Sequence, residues 1–142
     1  EGLTNTKFCN ISFVGTTSLV NALEKKTQNV LFSQVVPNPW DIQNVAIKEY
    51  QEIYSKYYPN EPFSFVSLEG FLSAKLIVKG LEKTGQELTR KRFLKAFEQL
   101  DKNSLEGFTI NFSQEQRQVF DKVFILDFDK NKFRLLKEVT IR

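Results

Sequence analysis

The chain has 142 residues, enough for one ordinary domain, with 41% hydrophobic and 26% charged residues and a net charge of +3. That balance belongs to a folded chain rather than a disordered one. It has no His and one Cys, Cys9, which excludes a zinc site of the usual His and Cys ligands, a His-based catalytic triad and an internal disulfide.

The predicted elements run as follows. "FCNISFVG" reads as a short strand, centred on Ile11–Val14 and closed by Gly15. "TTSLVNALEKK" reads as a helix capped by Thr16 or Thr17, with Leu19, Val20 and Leu23 as its apolar stripe. "NVLFSQVVPNP" is a second strand over Val30–Val35, stopped by Pro37 and Pro39, which lack the ladder donor. "WDIQNVAIKEYQEIYSKYY" is an amphipathic helix, with Ile42, Val45, Ala46, Ile53, Tyr54 and Tyr57 on one side.

A helix over Ser67–Lys83 follows, and it carries Glu69-Gly70 near its apolar front. Gly costs about 1 kcal/mol against Ala inside a helix, so the pair needs a reason for its place there. "TRKRFLKAFEQL" is a third long helix with Thr89 as N-cap and Phe93, Phe97 and Leu100 on one face. Its run Arg90-Lys91-Arg92 reads as a solvated face, and nucleic acid is not an expected partner.

"GFTINF" and "VFDKVFILDFD" then read as strands, "DKNK" as a turn and "KFRLLKEV" as a final strand. The helices of Asp41–Leu100 interrupt the strands, so the chain is expected to leave one lobe, build part of another and return. Pro37-Asn38-Pro39 and "LDKNSLEG" are the expected crossings, and the helices should pack away from the sheet. No apolar run approaches the roughly 20 residues that span a bilayer. "EGLTNTKFCN" lacks the features of a signal peptide and the sequence has no Met, so it is expected to be a piece of a longer protein.

The pieces "VVPNP", "SLEGFLSAK" and "LTRKRFLKAF", taken in this order from about Phe8 to Phe133, resemble the C-terminal part of an ABC-transporter substrate-binding protein of the Leu/Ile/Val-binding type. The resemblance implies an α/β fold, periplasmic-binding-protein-like type I and partial, with pieces of both lobes. Residues 1–36 would be part of the C-terminal lobe and residues 37–100 the helical part of the N-terminal lobe. Residues 101–142 would be the hinge crossing and the closing strands. It implies a periplasmic or extracytoplasmic binding protein, not an enzyme and without a cofactor, that holds a small polar ligand between two lobes. Its partners would be the permease of an ABC importer and the missing N-terminal portion of the same protein. The ligand would be an amino acid or an amide. A sensing domain of a signalling receptor, or an interaction domain with no solute, would share the fold.

The expected ligand contacts are Gly15, Thr16 and Thr17, because open α/β sheets bind ligands at the C-terminal edge of their strands. In amino-acid-binding relatives an acidic residue soon after this Gly pairs with the ligand ammonium. Thr16 and Thr17 stand there instead, and a hydroxyl carries no charge. The resemblance also implies that Gly70 lets its helix pack closely on a neighbouring backbone and that Glu69 sits in the first turn, where the helix dipole favours a carboxylate; Ser67 and Glu69 are further candidates, as contacts to the ligand or between lobes. Trp40 reads as a helix staple, with stacking on a ligand as the alternative. Tyr50, Tyr54, Tyr57 and Tyr58 read as packing, Cys9 as a small buried residue, and Asp127 and Asp129 as ordinary hairpin acids. The helical faces without a partner sheet suggest self-association of the chain alone.

Overall fold

A computed structural model describes residues 6–141; the outermost residues of the first and last segments proposed above, 1–5 and Arg142, lie outside the described residues. The fold is α/β. β1 (Phe8–Asn10), α1 (Thr16–Ala22) and β2 (Val30–Gln34) form a βαβ unit, with the two strands parallel as a helical crossover requires. Three helices follow, α2 (Val45–Tyr57), α3 (Phe65–Thr84) and α4 (Arg90–Glu98). β3 (Lys122–Asp129) and β4 (Lys132–Thr140) close a four-stranded sheet in the order β1-β2-β3-β4. β3 is antiparallel to β2, pairing Phe32 with Leu126 and Gln34 with Phe124. The β3–β4 hairpin turns on Lys130 and Asn131, both at positive φ (48° and 63°), as a two-residue turn matching strand twist requires.

β1 is shorter and earlier than expected. Its ladder ends at the pair Asn10 and Phe32. Ser33 donates its hydroxyl to the Asn10 carbonyl (3.2 Å), and Ile11–Val14 forms a turn in which the Val14 N–H bonds to the Ile11 carbonyl (3.2 Å). Cys9 is exposed rather than buried, because β1 is an edge strand of the described sheet. "GFTINF" is not a strand either. Gly107 turns at φ +90°, and Ile110 and Asn111 donate their N–H groups to Lys102 and Val119. Buried Leu105 and Ile110 pin this coil against Leu76 of α3.

α2 starts at Val45, not Trp40, because Asn44 caps it by accepting from the Ala46 and Ile47 N–H groups (3.0 and 3.3 Å). Its buried face is Ala46, Ile47 and Tyr50; the stripe of Ile42, Val45, Ile53 and Tyr57 faces out. Tyr50 is core and Tyr54 is half-buried, whereas Tyr57 and Tyr58 are surface residues. α3 starts two residues early on a capping box. Ser64 accepts from the Ser67 N–H (3.1 Å), and the Ser67 hydroxyl accepts from the Ser64 N–H (3.2 Å). Glu69 therefore falls in the second turn and is exposed, not in the first turn beside the dipole.

The α3 residues Phe65, Leu68, Leu72, Leu76 and Gly80 recur every three or four positions and form its buried stripe. Gly70 has open space around its missing side chain, so it serves no close approach in the described structure. Gly80 does: a Cβ there would come within 2.8 Å of both Phe93 and Phe97 of α4. Contrary to expectation, the helices do not pack away from the sheet. Phe32 and Leu126 share one core with Ile47, Tyr50, Leu68 and Leu72. Phe133 of β4 is the bridge, meeting Phe32 at 5.7 Å and Phe65 at 5.3 Å, both edge to face. The Lys75–Glu49 ion pair also ties α3 to α2.

Candidate functional site

Helix α1, the residues after β2, the loop before α3 and the β3–β4 hairpin border an open cavity of about 610 Å3. Thr17, Val20, Asn21 and Lys25 line it from α1 and its C-terminal turn, and Asn38 and Trp40 from the proline crossing. Pro62 and Phe63 come from the loop before α3, and Phe128, Asn131, Lys132 and Phe133 from the hairpin. Pro39 prevents the β2 ladder from running on, so the chain turns and lays Trp40 flat on Phe133, with centroids 5.7 Å apart and planes 16° apart. Trp40 also meets Phe65 edge-on at 5.9 Å. It precedes α2 by five positions, so it is a wall of the cavity and not a helix staple.

The predicted Gly15-Thr16-Thr17 edge divides in three. Gly15 is the N-cap of α1, and no side chain caps that helix, so neither Thr plays the expected capping role. Thr16 is buried and accepts a hydrogen bond from the Gln34 side-chain amide, which fixes the first turn of α1 to β2. Thr17 alone lines the cavity, and its Oγ1 is buried without a hydrogen-bond partner. An unpaired buried hydroxyl costs about 1–3 kcal/mol; with under 1 Å2 of its surface open, the oxygen meets a ligand group only once the side chain turns toward the cavity.

Ser67 and Glu69 do not line this cavity. Besides its capping bonds, Ser67 meets the Tyr50 hydroxyl at 2.7 Å. Burial pushes the Tyr50 phenol pKa up, and the bonds to Ser67 and Ser64 act against that rise. Glu69 forms no ion pair among the described residues.

A second cavity, of about 520 Å3, lies beneath Val35, Gly107 and Leu135. Several of its polar groups are already engaged. Asn44 caps α2 and donates to the Gly107 carbonyl (2.9 Å), Asp41 accepts from the Gln43 N–H (2.9 Å), and Lys122 pairs with Glu138 (2.5 Å). A groove of about 460 Å3 beside the hairpin contains Asp127 and Asp129. There Arg134 holds Asp127 through two bonds of 3.0 and 2.5 Å. A further groove of about 490 Å3 beside β1 is lined by Asn10, whose Nδ2 is buried without a partner as Thr17 Oγ1 is; the Thr17–Trp40 cavity is set apart by its wall of Trp40, Phe63, Phe128 and Phe133.

A family model described as periplasmic binding protein matches residues 1–132. The chain belongs to the periplasmic binding protein family. The members of this family are ligand-binding proteins rather than enzymes. A possible leucine/isoleucine/valine-binding protein from Rhodopirellula baltica SH 1 is 28% identical, with a TM-score of 0.85 over 94% of this chain and 36% of that one. A branched chain amino acid ABC transporter from Thermus thermophilus with bound valine shares the fold at 17% identity and a TM-score of 0.78, covering 96% of this chain and 39% of that one. A fatty acid ABC transporter substrate-binding protein from Thermomonospora curvata shares it at 22% identity and a TM-score of 0.68, covering 84% and 33%. None of the curated proteins matches. This periplasmic binding protein chain thus spans little more than a third of the length of the solved structures it matches. Among the described residues no helix is long and apolar enough to cross a membrane, and no group of three or more Cys, Asp or Glu is placed to hold a metal ion.

The residues that sequence reasoning missed are Asn21, Lys25, Asn38, Lys132 and the aromatics Phe63, Phe128 and Phe133. "DKNK" was legible as a turn, but nothing in it showed that the turn closes over α1.

Proposed function

We propose that the chain is the C-terminal part of an extracytoplasmic solute-binding protein that captures a small ligand for an ABC importer. In this reading residues 1–36 and 101–142 belong to the C-terminal lobe. Residues 37–100 share the core of the sheet through α2 and α3 and turn their exposed outer faces to an N-terminal lobe supplied by the rest of the protein. The solute sits against Thr17 and Trp40, Gly15 and Thr16 hold α1 in place for that contact, and lobe closure completes the enclosure. Ser67 acts on the site only by fixing the start of α3, and Glu69 stays clear of the ligand. The observation that carries the reading is the cavity walled by Thr17, Trp40, Phe63, Phe128 and Phe133, in a family of ligand-binding proteins.

A thermal-shift screen of small solutes against the whole protein tests it. A binder at a hundredfold excess over its Kd stabilises the folded state by about 2.7 kcal/mol and raises Tm. Thr17→Ala removes one hydrogen bond to the ligand and weakens that binding about tenfold. A screen without any shift counts against a solute-binding role, and an unchanged affinity in a folded Thr17→Ala variant counts against this cavity.

The same reading accounts for the exposed apolar side chains on the helices, among them Val45, Val66, Ile77 and Val78. The rest of the protein would cover them. The 142-residue chain produced alone is expected to self-associate in light scattering, and a clean monomer would contradict the missing-lobe assignment.

A further inference from the structure

We propose that the Thr17–Trp40 cavity selects a carboxylate with an apolar, flat or branched body and no free amine, a class that sets it apart from an amino-acid site. This rests on the solute-binding reading above and names the ligand class within it.

The inference comes from the charges around the cavity. Neither Asp nor Glu lines it, whereas Lys25 and Lys132 both do. Neither lysine forms an ion pair among the described residues. Lys25 sits where the chain leaves α1 at φ 63°, and Lys132 opens β4 directly after the hairpin turn, so the two cations flank the cavity from separate elements. The nearby carboxylates are committed elsewhere. Arg134 holds Asp127 and lies 3.9 Å from Asp129, and Lys26 pairs with Glu24 at 2.9 Å.

An ammonium group placed here would lose its water, meet two like charges and find no carboxylate in return. A ligand carboxylate meets two opposite charges, from Lys25 and Lys132. Trp40, Phe63, Phe128 and Phe133 supply the apolar wall for the rest of the ligand. The acidic residue expected of an amino-acid site is replaced by Thr, and no other acid of the described structure takes its place in the cavity.

Paired ligands that differ only in the amine give the test. Calorimetry on the whole protein would compare hydrocinnamate with phenylalanine, and isocaproate with leucine. The expected result is that at least one desamino acid binds ten times or more tighter than its amino acid. Lys25→Gln and Lys132→Gln should each weaken that binding several-fold, less so in high salt. Circular dichroism and Tm confirm that the variants fold. If the amino acids bind as tightly or tighter, an ammonium partner comes from the rest of the protein. The ligand class is then overturned, while the solute-binding reading survives. If none of the four binds, the class is also overturned, and the solute screen decides the broader reading separately. If the lysine variants leave the affinity unchanged, the cationic rim is not what selects the ligand, and the proposal fails.

Discussion

Phe32→Ala in the whole protein is expected to lower the unfolding free energy of the lobe that contains it by about 3–5 kcal/mol, the range for deleting a buried Phe side chain. Phe32 has no exposed surface and lies in the strand that pairs with both β1 and β3. It also stands edge to face against Phe133, whose ring carries Trp40 on another side. The cavity left by truncation would therefore loosen both the sheet core and a wall of the ligand site. Denaturant melts followed by circular dichroism measure the loss. A cost under about 1 kcal/mol would mean that the sheet and the helices do not share a single core, contrary to the packing described here.

Gly80→Leu is expected to destabilise by about 1–3 kcal/mol, even though Leu is the better helix former by about 1 kcal/mol. The reason is local. The first atom of any side chain would meet the rings of Phe93 and Phe97 at 2.8 Å, and Phe97 is itself held edge-on by Phe112 at 4.9 Å. Helix α4 must shift to admit it. Gly70→Ala in the same helix meets nothing within 4 Å, so it is expected to gain up to about 1 kcal/mol. Parallel thermal melts of the two variants check the contrast. Stability gained at Gly80, or lost at Gly70, would show that the wrong glycine has been assigned to the close approach.

The two glycines show what was legible in the sequence and what was not. Spacing in "SLEGFLSAKLIVKGLEKTG" marked an amphipathic helix with a small residue on its packed face. It could not say which glycine met a neighbour, because that depends on where α4 crosses. Helix starts were misplaced for a similar reason. Asn44 and Ser64 outcompete the apolar periodicity by satisfying free N–H groups, and a side-chain cap is easily masked by apolar residues on either side. The βαβ unit, the three helices and the hairpin were readable from period and turn chemistry. The strand expected at "GFTINF" was not there, because Gly107 at positive φ and the bond from Ile110 to Lys102 turn the chain back on itself.

For the site, the sequence pointed to the edge of Gly15, Thr16 and Thr17, and of these Thr17 lines the cavity. Its other walls come from residues up to 116 positions apart in the chain, Thr17 and Phe133 among them, and only the folded β3–β4 hairpin brings those together. Trp40 was weighed as a staple because of its place before a helix. The stack on Phe133 that turns it into a cavity wall is a tertiary contact.

The central claim is that the Thr17–Trp40 cavity is where a solute binds. A crystal structure of the whole protein with a ligand found by the thermal-shift screen tests it most directly. The account predicts ligand density in that cavity, with a polar ligand atom within hydrogen-bond distance of Thr17 Oγ1 and the ligand body against the Trp40 ring. A ligand seated elsewhere, with the Thr17 hydroxyl still unpaired and the cavity empty, would contradict it.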